Sequence, residues 1–174
     1  MLVKERQKLS KSIYNYALYL RDFYKIKDDN FDIEYIVKDL GGDIIIPKVY
    51  GDLEGIVKTG DESFDIYVSQ LRLEHSRRFL IAHELGHLLI GFKYPTDKWR
   101  QLKNGQVLRL DGDNMENEGI ANEFACCFLM PEYRLKFIEE KVADASYPTQ
   151  AIATHFNVPM SSVIWYRKKL EGQG

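Results

Sequence analysis

Two histidines and a glutamate at a fixed spacing are the residues of this chain that are best suited to chemistry. They lie in the segment His83-Glu84-Leu85-Gly86-His87, within a stretch of helical periodicity. Residues i and i+4 of an α-helix are neighbours on one face, so the two imidazoles can bind one Zn²⁺ together. Glu84 projects beside them, where its carboxylate can take a proton from a water that the zinc acidifies. The spacing therefore predicts a zinc hydrolase with Glu84 as its base.

The apolar flanks of this segment favour a metal over two isolated histidines. Phe79–Ala82 and Leu88–Ile90 are apolar enough to be buried. Burying two imidazoles and a carboxylate without a partner costs several kcal/mol, and a bound cation removes that cost. Core histidines that only form hydrogen bonds are the plain alternative, but the pattern uses two of the four histidines in the chain. We expect one zinc ion per chain.

A catalytic zinc site needs a third protein ligand, with the fourth position left for water. The remaining histidines, His75 and His155, do not form the extended His-x-x-Gly-x-x-His pattern. A carboxylate from a second helix is the other common solution. Glu118 fits best because it opens the next predicted helix, while Glu116 and Glu123 are the alternatives.

Two supporting roles also have candidates. Asn122 lies one helical turn after Glu118, so it shares the face of that residue and is expected to orient a ligand. Hydrolysis of a peptide bond also needs a donor for the developing oxyanion. The sequence leaves three candidates for that donor: His75, Arg77 and Tyr94.

The elements that must position these side chains follow from the hydrophobic pattern. Helices are predicted at Lys4–Tyr24, 33–40, 76–91, 118–130, 132–143 and, in two pieces, 149–170. Asp32 is the expected N-cap of the second helix, and Gly41-Gly42 is its expected end. Strands are predicted at Ile44–Ile46, Leu53–Lys58, Phe64–Ser69 and within Gln106–Leu110. Helices before and after a small sheet indicate the α+β class.

Composition and charge restrict the class of protein. The 174 residues are 45% apolar and 29% charged, which is typical of a globular chain. A formal charge of −2 provides no overall attraction to nucleic acid or to an anionic membrane. No signal peptide or membrane span is expected. Adjacent Cys126 and Cys127 are poor disulfide partners and are expected to pack in the core, which predicts a cytoplasmic protein.

The last segment resembles a helix-turn-helix. Residues 149–159 correspond to its first helix and turn, and Met160–Leu170 to its second helix. Arg167, Lys168 and Lys169 near the end of this second helix could contact DNA phosphates. Basic residues at a helix C-terminus also stabilise the helix dipole without any partner. A structural or substrate-docking role is therefore favoured over DNA binding.

Two linked motifs resemble the ImmA/IrrE family of bacterial and phage metallopeptidases. The first is Arg78-Phe79-Leu80-Ile81-Ala82 followed by the histidine motif, and the second is E-x-x-A-N-x-F-A-x-x-x-L-M-P at 118–131. The resemblance implies a zincin-like fold in which His83, His87 and Glu118 bind zinc and Glu84 is the base. The expected domain bounds are 1–145 for the zincin-like domain and 146–174 for a helix-turn-helix-like segment packed on it.

The resemblance further suggests a substrate. Family members from phages or mobile elements resemble anti-repressors that cleave a helix-turn-helix repressor encoded beside them, and others act beside toxin–antitoxin modules. We therefore expect an endopeptidase that cleaves such a repressor or an antitoxin-like regulator, bound as an extended strand along Leu53–Lys58 at the sheet edge. The alternative is a non-catalytic regulator on the same scaffold, which binds a transcription factor, or DNA through 149–170.

Overall fold

The computed structural model describes residues 3–47, 54–108 and 115–172. Contacts between residues divide the chain into two units, one of Met1–Phe31 with Glu123–Gly174 and one of Asp32–Asn122. Helices and one small sheet together confirm the predicted α+β class. The units reflect packing only, so the predicted domain bounds, 1–145 and 146–174, stay a prediction.

The unit of residues 32–122 begins with helix α2, Ile33–Asp39. The carboxylate of Asp32 accepts the backbone N–H groups of Glu34 at 2.9 Å and Tyr35 at 3.2 Å, so Asp32 is the N-cap that the sequence predicts. After the helix, Gly41 has a φ of +88°, and a Cβ there would clash with the carbonyl oxygen of Glu62. Both predicted ends of this helix are confirmed.

Four strands form the sheet of this unit in the order β1-β3-β2-β4. They are β1 Gly42–Ile45, β2 Gly55–Gly60, β3 Ser63–Tyr67 and β4 Val107–Leu108. Strand β3 pairs parallel with β1 and antiparallel with β2. Ile56 and its register partner Ile66 are fully buried, so one face of the sheet lies in the core. The parts of the predicted strands at Leu53 and at 109–110 lie outside the described residues.

The position of β2 corrects one expectation. Strand β4 pairs with β2 at Ile56 and Val57. In the middle of the predicted segment Leu53–Lys58, β2 therefore has a neighbouring strand on both sides. The expectation that a substrate pairs with this whole segment at the sheet edge is wrong. Periodicity identifies a strand but carries no information about its neighbours, which depend on the distant residues 107 and 108.

Helix α3, Glu74–Gly86, follows β3 and carries the first histidine of the motif. It buries Ile81, Ala82 and Leu85. At His87 the helix changes to a π-helical turn, His87–Gly91, in which the N–H of Phe92 bonds to the carbonyl of His87 at 2.8 Å. The single α-helix predicted at 76–91 is thus an α-helix with a π-helical end, a feature that often occurs at functional sites.

Buried Lys58 ties the short helix α4, Asp97–Arg100, and the residues after it to β2. Its ammonium group donates to the carbonyl oxygens of Arg100 at 3.0 Å and Leu102 at 2.9 Å, and pairs with Asp61 at 3.1 Å. All three N–H donors of this lysine have partners, so the buried charge is compensated.

Helix α5, Met115–Leu129, starts in the unit of residues 32–122 and ends in the other unit. That second unit also contains α1 Val3–Phe23, α6 Glu132–Lys141, α7 Pro148–Phe156 and α8 Met160–Leu170. Its core includes Ile13, Phe124 and Phe128, which are at most 2% exposed. The two cysteines are free and buried, as predicted. No described helix combines the length and the apolar character that a membrane span requires.

Candidate metal centre

Three side chains of the unit of residues 32–122 converge on one point. His83 comes from α3, His87 from the π-helical turn and Glu118 from the first turns of α5. The two Nε2 atoms lie 3.0 Å apart, and the Glu118 carboxylate oxygens lie 3.2 Å from Nε2 of each histidine. The sequence proposed these three residues as the metal ligands, and the structure brings all three together.

The spacing of these atoms suits a small divalent cation. Tetrahedral zinc with bonds of ~2.0–2.1 Å places neighbouring ligand atoms about 3.3–3.4 Å apart. The three observed separations, 3.0, 3.2 and 3.2 Å, are close to that value. Two imidazoles and one carboxylate also form a donor set that zinc accepts. The residues present therefore fit a zinc ion with three protein ligands.

A hydrogen bond from α3 to α5 orients the first histidine. Nδ1 of His83 donates to Oδ1 of Asn122 at 2.9 Å. A neutral imidazole that carries its proton on Nδ1 has its lone pair on Nε2, the atom that faces the other two ligands. Helix α5 thus supplies both the acidic residue and the group that orients His83, as the position of Asn122 predicts.

Burial keeps both imidazoles in the form that binds a metal. Burial lowers the pKa of His83, although the nearby Glu118 carboxylate opposes this shift. Burial and then the neighbouring His83 lower the pKa of His87 to about 4. Both rings are therefore neutral near pH 7, and a neutral imidazole offers a lone pair.

Glu84 lies beside the cluster and is only 8% exposed. Burial raises its pKa to about 8, and the charges of Glu118 and Glu54 act in the same direction. A carboxylate in such surroundings is a stronger base than an ordinary glutamate. The predicted base is thus a buried acid adjacent to the ligand cluster.

Other predicted candidates have different partners. Glu123 forms ion pairs with Arg6 and Lys169, each at 3.1 Å, in the unit that contains α1. His155 binds the carboxylate of Asp29 at 3.0 Å. Among the described residues, the cluster that could hold a metal contains none of Glu116, Glu123 and His155.

The hydroxyl of Tyr94 is also engaged elsewhere. It donates to the carbonyl oxygen of Leu40 at 2.6 Å, and the ring packs edge-on against Phe64 and Trp99. Tyr94 therefore serves to pack the unit rather than to contact a substrate. For His75 and Arg77 the role of oxyanion donor stays a prediction.

One charged pair near the start of β2, Glu54 with Arg72, was not predicted from the sequence. Arg72 donates from Nε and Nη2 to the two carboxylate oxygens of Glu54, each at 2.6 Å. The positive charge of Arg72 opposes the rise in the pKa of Glu84, and it adds to the lowering of the pKa of His83, which burial mainly causes. Arg72 lies in a loop without periodicity, 18 positions after Glu54, so no local pattern indicates the contact.

An α+β fold that brings two imidazoles and a carboxylate to one point defines a candidate metalloprotein. Residues 50–164 match the model of peptidase family M78, described as the IrrE N-terminal-like domain. Because this match covers more than half of the chain, the chain belongs to that family. Family membership confirms the resemblance found in the sequence and indicates a metallopeptidase.

A solved structure shares the fold. The chain is similar to a Mycobacterium tuberculosis transcriptional regulator, with a TM-score of 0.54 at 13% sequence identity. The similarity covers 92% of this chain and 47% of the other, so the chain spans about half the length of that protein. At this identity the likeness concerns the fold alone. A comparison with curated protein sequences found no significant match.

Proposed function

We propose that the chain is a zinc-dependent endopeptidase with a zincin-like fold. The observation that carries the proposal is the convergence of His83, His87 and Glu118 within 3.2 Å of one another, with buried Glu84 alongside. Three protein ligands with a fourth position for water are typical of a catalytic zinc site, whereas structural sites have four protein ligands. Membership of a metallopeptidase family supports the same function.

Each residue of the centre has a separate task. His83, His87 and Glu118 hold the ion, and Asn122 keeps the His83 ring in the orientation that directs Nε2 towards it. When bound, zinc supplies polarisation of the scissile carbonyl and acidification of a water. These tasks need only one zinc ion per chain.

Glu84 moves the proton. Its carboxylate accepts a proton from the attacking water and delivers it to the nitrogen of the leaving amine. Burial makes this carboxylate more basic than an exposed glutamate, so its ionised form is a good proton acceptor in the first step. The reaction is hydrolysis of one peptide bond, and each proton that Glu84 takes up leaves with the amine product.

The proposed substrate is a regulatory protein, such as a helix-turn-helix repressor encoded nearby or an antitoxin-like regulator. The support is the likeness to family members that act in this way. We also propose a cytoplasmic location, because the two cysteines are free and buried, as is common in a reducing compartment.

A DNA-binding regulator is the second candidate, and the C-terminal helices argue against it. Arg167 donates to Glu139 at 2.5 Å and to Thr149 at 3.1 Å. Lys169 is 14% exposed and pairs with Glu123. Two of the three basic side chains of α8 are thus used within the protein. We propose that α7 and α8 form a helix-turn-helix-like segment with a structural or substrate-docking role.

Metal analysis and one active-site variant test the proposal. Native mass spectrometry should find one zinc per chain, and none for His83→Ala. The proteins encoded beside this one should then be incubated with the chain and with Glu84→Gln. We expect cleavage by the parent only, with both proteins zinc-loaded. If Glu84→Gln binds zinc and keeps the full biological effect, proteolysis is not the function.

A further inference from the structure

A cleft lies wholly within the unit of Met1–Phe31 and Glu123–Gly174, so it shares no residue with the candidate metal centre. Its volume is about 770 Å³, within the range of about 300–1,000 Å³ that is typical of small-molecule sites. Helices α1, α5 and α8 supply most of its lining. The charged and buried side chains among the lining residues include Arg6, Lys11, Glu123, Cys127, Tyr166 and Lys169.

Three charged side chains in this cleft form one cluster. Nη2 of Arg6 and Nζ of Lys169 each lie 3.1 Å from Oε2 of Glu123. Glu123 is 3% exposed and Lys169 is 14% exposed, so the cluster is largely shielded from water. Within the described part of the chain, no second acid pairs with either cation. Two cations therefore share one carboxylate, and a buried excess of positive charge is unfavourable unless an anion balances it.

Arg6 also has an unsatisfied donor. Its Nη1 atom is buried and has no hydrogen-bond partner among the residues that the structure describes. A buried N–H of a charged group costs free energy when it has no acceptor, and buried polar groups in folded proteins are normally paired. A ligand carboxylate would supply the missing acceptor and balance the positive charge of the cluster at the same time.

The exposed part of the lining adds a further positive charge. Lys11 lines the cleft, is exposed, and has no ion-pair partner among the described residues. The second acid of the lining, Glu132, pairs with Lys136 at 2.5 Å, so its charge is already balanced. The cleft therefore has an excess of positive charge, which attracts an anion from solution.

Other parts of the lining are uncharged. Cys127 and Tyr166 are each 2% exposed, and Sγ of the cysteine lies 3.5 Å from the tyrosine hydroxyl. Burial raises the pKa of Cys127 to about 12, so this thiol is neutral near pH 7. Tyr14 and Leu170 add an aromatic ring and an apolar side chain. Such a surface suits the apolar or aromatic body of a small molecule.

We propose that this cleft binds a small organic monocarboxylate with an apolar or aromatic body. The carboxylate accepts a hydrogen bond from Nη1 of Arg6 and balances the positive charge that Arg6 and Lys169 share around Glu123. A monoanion is favoured over a dianion, because the Glu123 carboxylate repels a second negative charge. Lys11 adds attraction from the exposed part of the lining. This site is separate from the proposed function, since none of its residues belongs to the metal centre.

Phenylacetate is the probe for this site, and phenylacetamide is its uncharged match. Amide NMR titration of the full chain measures both affinities and shows which residues respond. The test variants are Arg6→Lys, Lys11→Met and Glu123→Gln. Lys8→Met is the matched control, because it removes an exposed lysine of α1 that does not line the cleft. His83→Ala is the second control, because a carboxylate can also bind a metal ion.

We expect phenylacetate to bind at least about 10-fold more tightly than phenylacetamide, the usual effect of a charge-assisted hydrogen bond. Arg6→Lys keeps the charge that pairs with Glu123 but lacks the second terminal nitrogen, so it should weaken phenylacetate binding about 10-fold. Lys11→Met should weaken binding by about 2- to 5-fold, as expected for an exposed charge. Glu123→Gln should tighten binding, because it removes the carboxylate that competes for the same donors. Lys8→Met and His83→Ala should bind phenylacetate as the parent chain does.

Several results would overturn the carboxylate site. They are equal affinity for the acid and its amide, no binding at millimolar phenylacetate, and equal binding by the parent and Arg6→Lys. Loss of binding in His83→Ala would place the probe at the metal centre and would also overturn it. Unfolding temperatures show which variants keep the fold, and if Glu123→Gln unfolds, Arg6→Lys and Lys11→Met decide. If the chain binds no zinc but binds phenylacetate as expected, the proposed function fails and the carboxylate site stands.

Discussion

Nδ1 of His83 donates to Oδ1 of Asn122 across 2.9 Å, a bond that joins the helix of the histidine motif to the helix of the third ligand. This bond selects the tautomer that leaves Nε2 free for a metal. Because Asn122 lies one turn after Glu118, the same face of α5 positions both a ligand and its support.

Asn122→Ala should lower zinc affinity about 10- to 100-fold, the range typical for removal of a group that orients a metal-bound histidine. The side chain is small and the helix continues on both sides, so the fold should persist. Competition with a fluorescent zinc chelator measures the affinity. Asn122→Asp keeps an acceptor for the Nδ1 proton and is the matched control. Equal zinc affinity of Asn122→Ala and the parent would show that the bond does not orient the ligand.

Glu118→Ala should lose stoichiometric zinc, whereas Glu116→Ala should keep it. Both acids lie in the first turns of α5 and both are exposed, but only Glu118 lies 3.2 Å from the two imidazoles. The two variants therefore match in helix position and in lost charge. Metal content by native mass spectrometry measures the difference. If Glu116→Ala loses zinc and Glu118→Ala keeps it, the third ligand is Glu116 and the assignment of Glu118 is wrong.

Asp29 should make stability depend on pH in the unit that contains α1. Burial alone would raise the pKa of Asp29, but hydrogen bonds from Arg134 and His155 and the charge of Arg21 outweigh burial, so the pKa lies below its ordinary value. A lowered pKa contributes stability above the unfolded value of about 3.9, and this contribution disappears as the pH falls through the folded pKa. The stability should therefore decline in acid.

The variant Asp29→Asn tests this contribution. At pH 7 it should reduce the free energy of unfolding by about 3 kcal/mol, because it leaves the charges of Arg21 and Arg134 without their partner. The difference from the parent should shrink below about pH 4. Urea unfolding at pH 7, 5 and 3.5 measures it, with exposed Asp28→Asn as the control. A difference that is the same at all three pH values would contradict the assignment.

Lys58→Met should destabilise the protein by about 2–4 kcal/mol, because it leaves the carbonyl oxygens of Arg100 and Leu102 without their donor. Methionine has a similar length and apolar character, so the loss reflects the polar contacts more than the packing. Lys38→Met is the control, since the Lys38–Asp43 pair is exposed and should contribute less than about 1 kcal/mol. Thermal or urea unfolding compares the two. If both variants lose a similarly small free energy of unfolding, the hydrogen bonds of Lys58 do not stabilise the fold as proposed.

Local patterns account for most of the fold. Asp32 and Gly41 bound α2 because an N-cap carboxylate and a left-handed glycine act within a few residues. The π-helical turn at His87 was not predicted, since α and π hydrogen bonding share nearly the same hydrophobic pattern over one turn. The pairing of β2 with β4 was also missed, because strand order depends on contacts between distant residues.

The residues of the candidate metal centre were also predicted in part from local spacing and in part only from the tertiary structure. The spacing of His83 and His87 by itself determined a metal-binding face and a base beside it, because helical geometry relates residues four apart without help from the rest of the chain. Only the tertiary structure showed that Glu118, and not Glu123, lies beside the two histidines. These acids are five positions apart on α5, which places them about 140° apart around its axis, and packing decides which direction faces the histidines. Packing also decided the Glu54–Arg72 pair, because only the folded chain brings the start of β2 to the loop before α3.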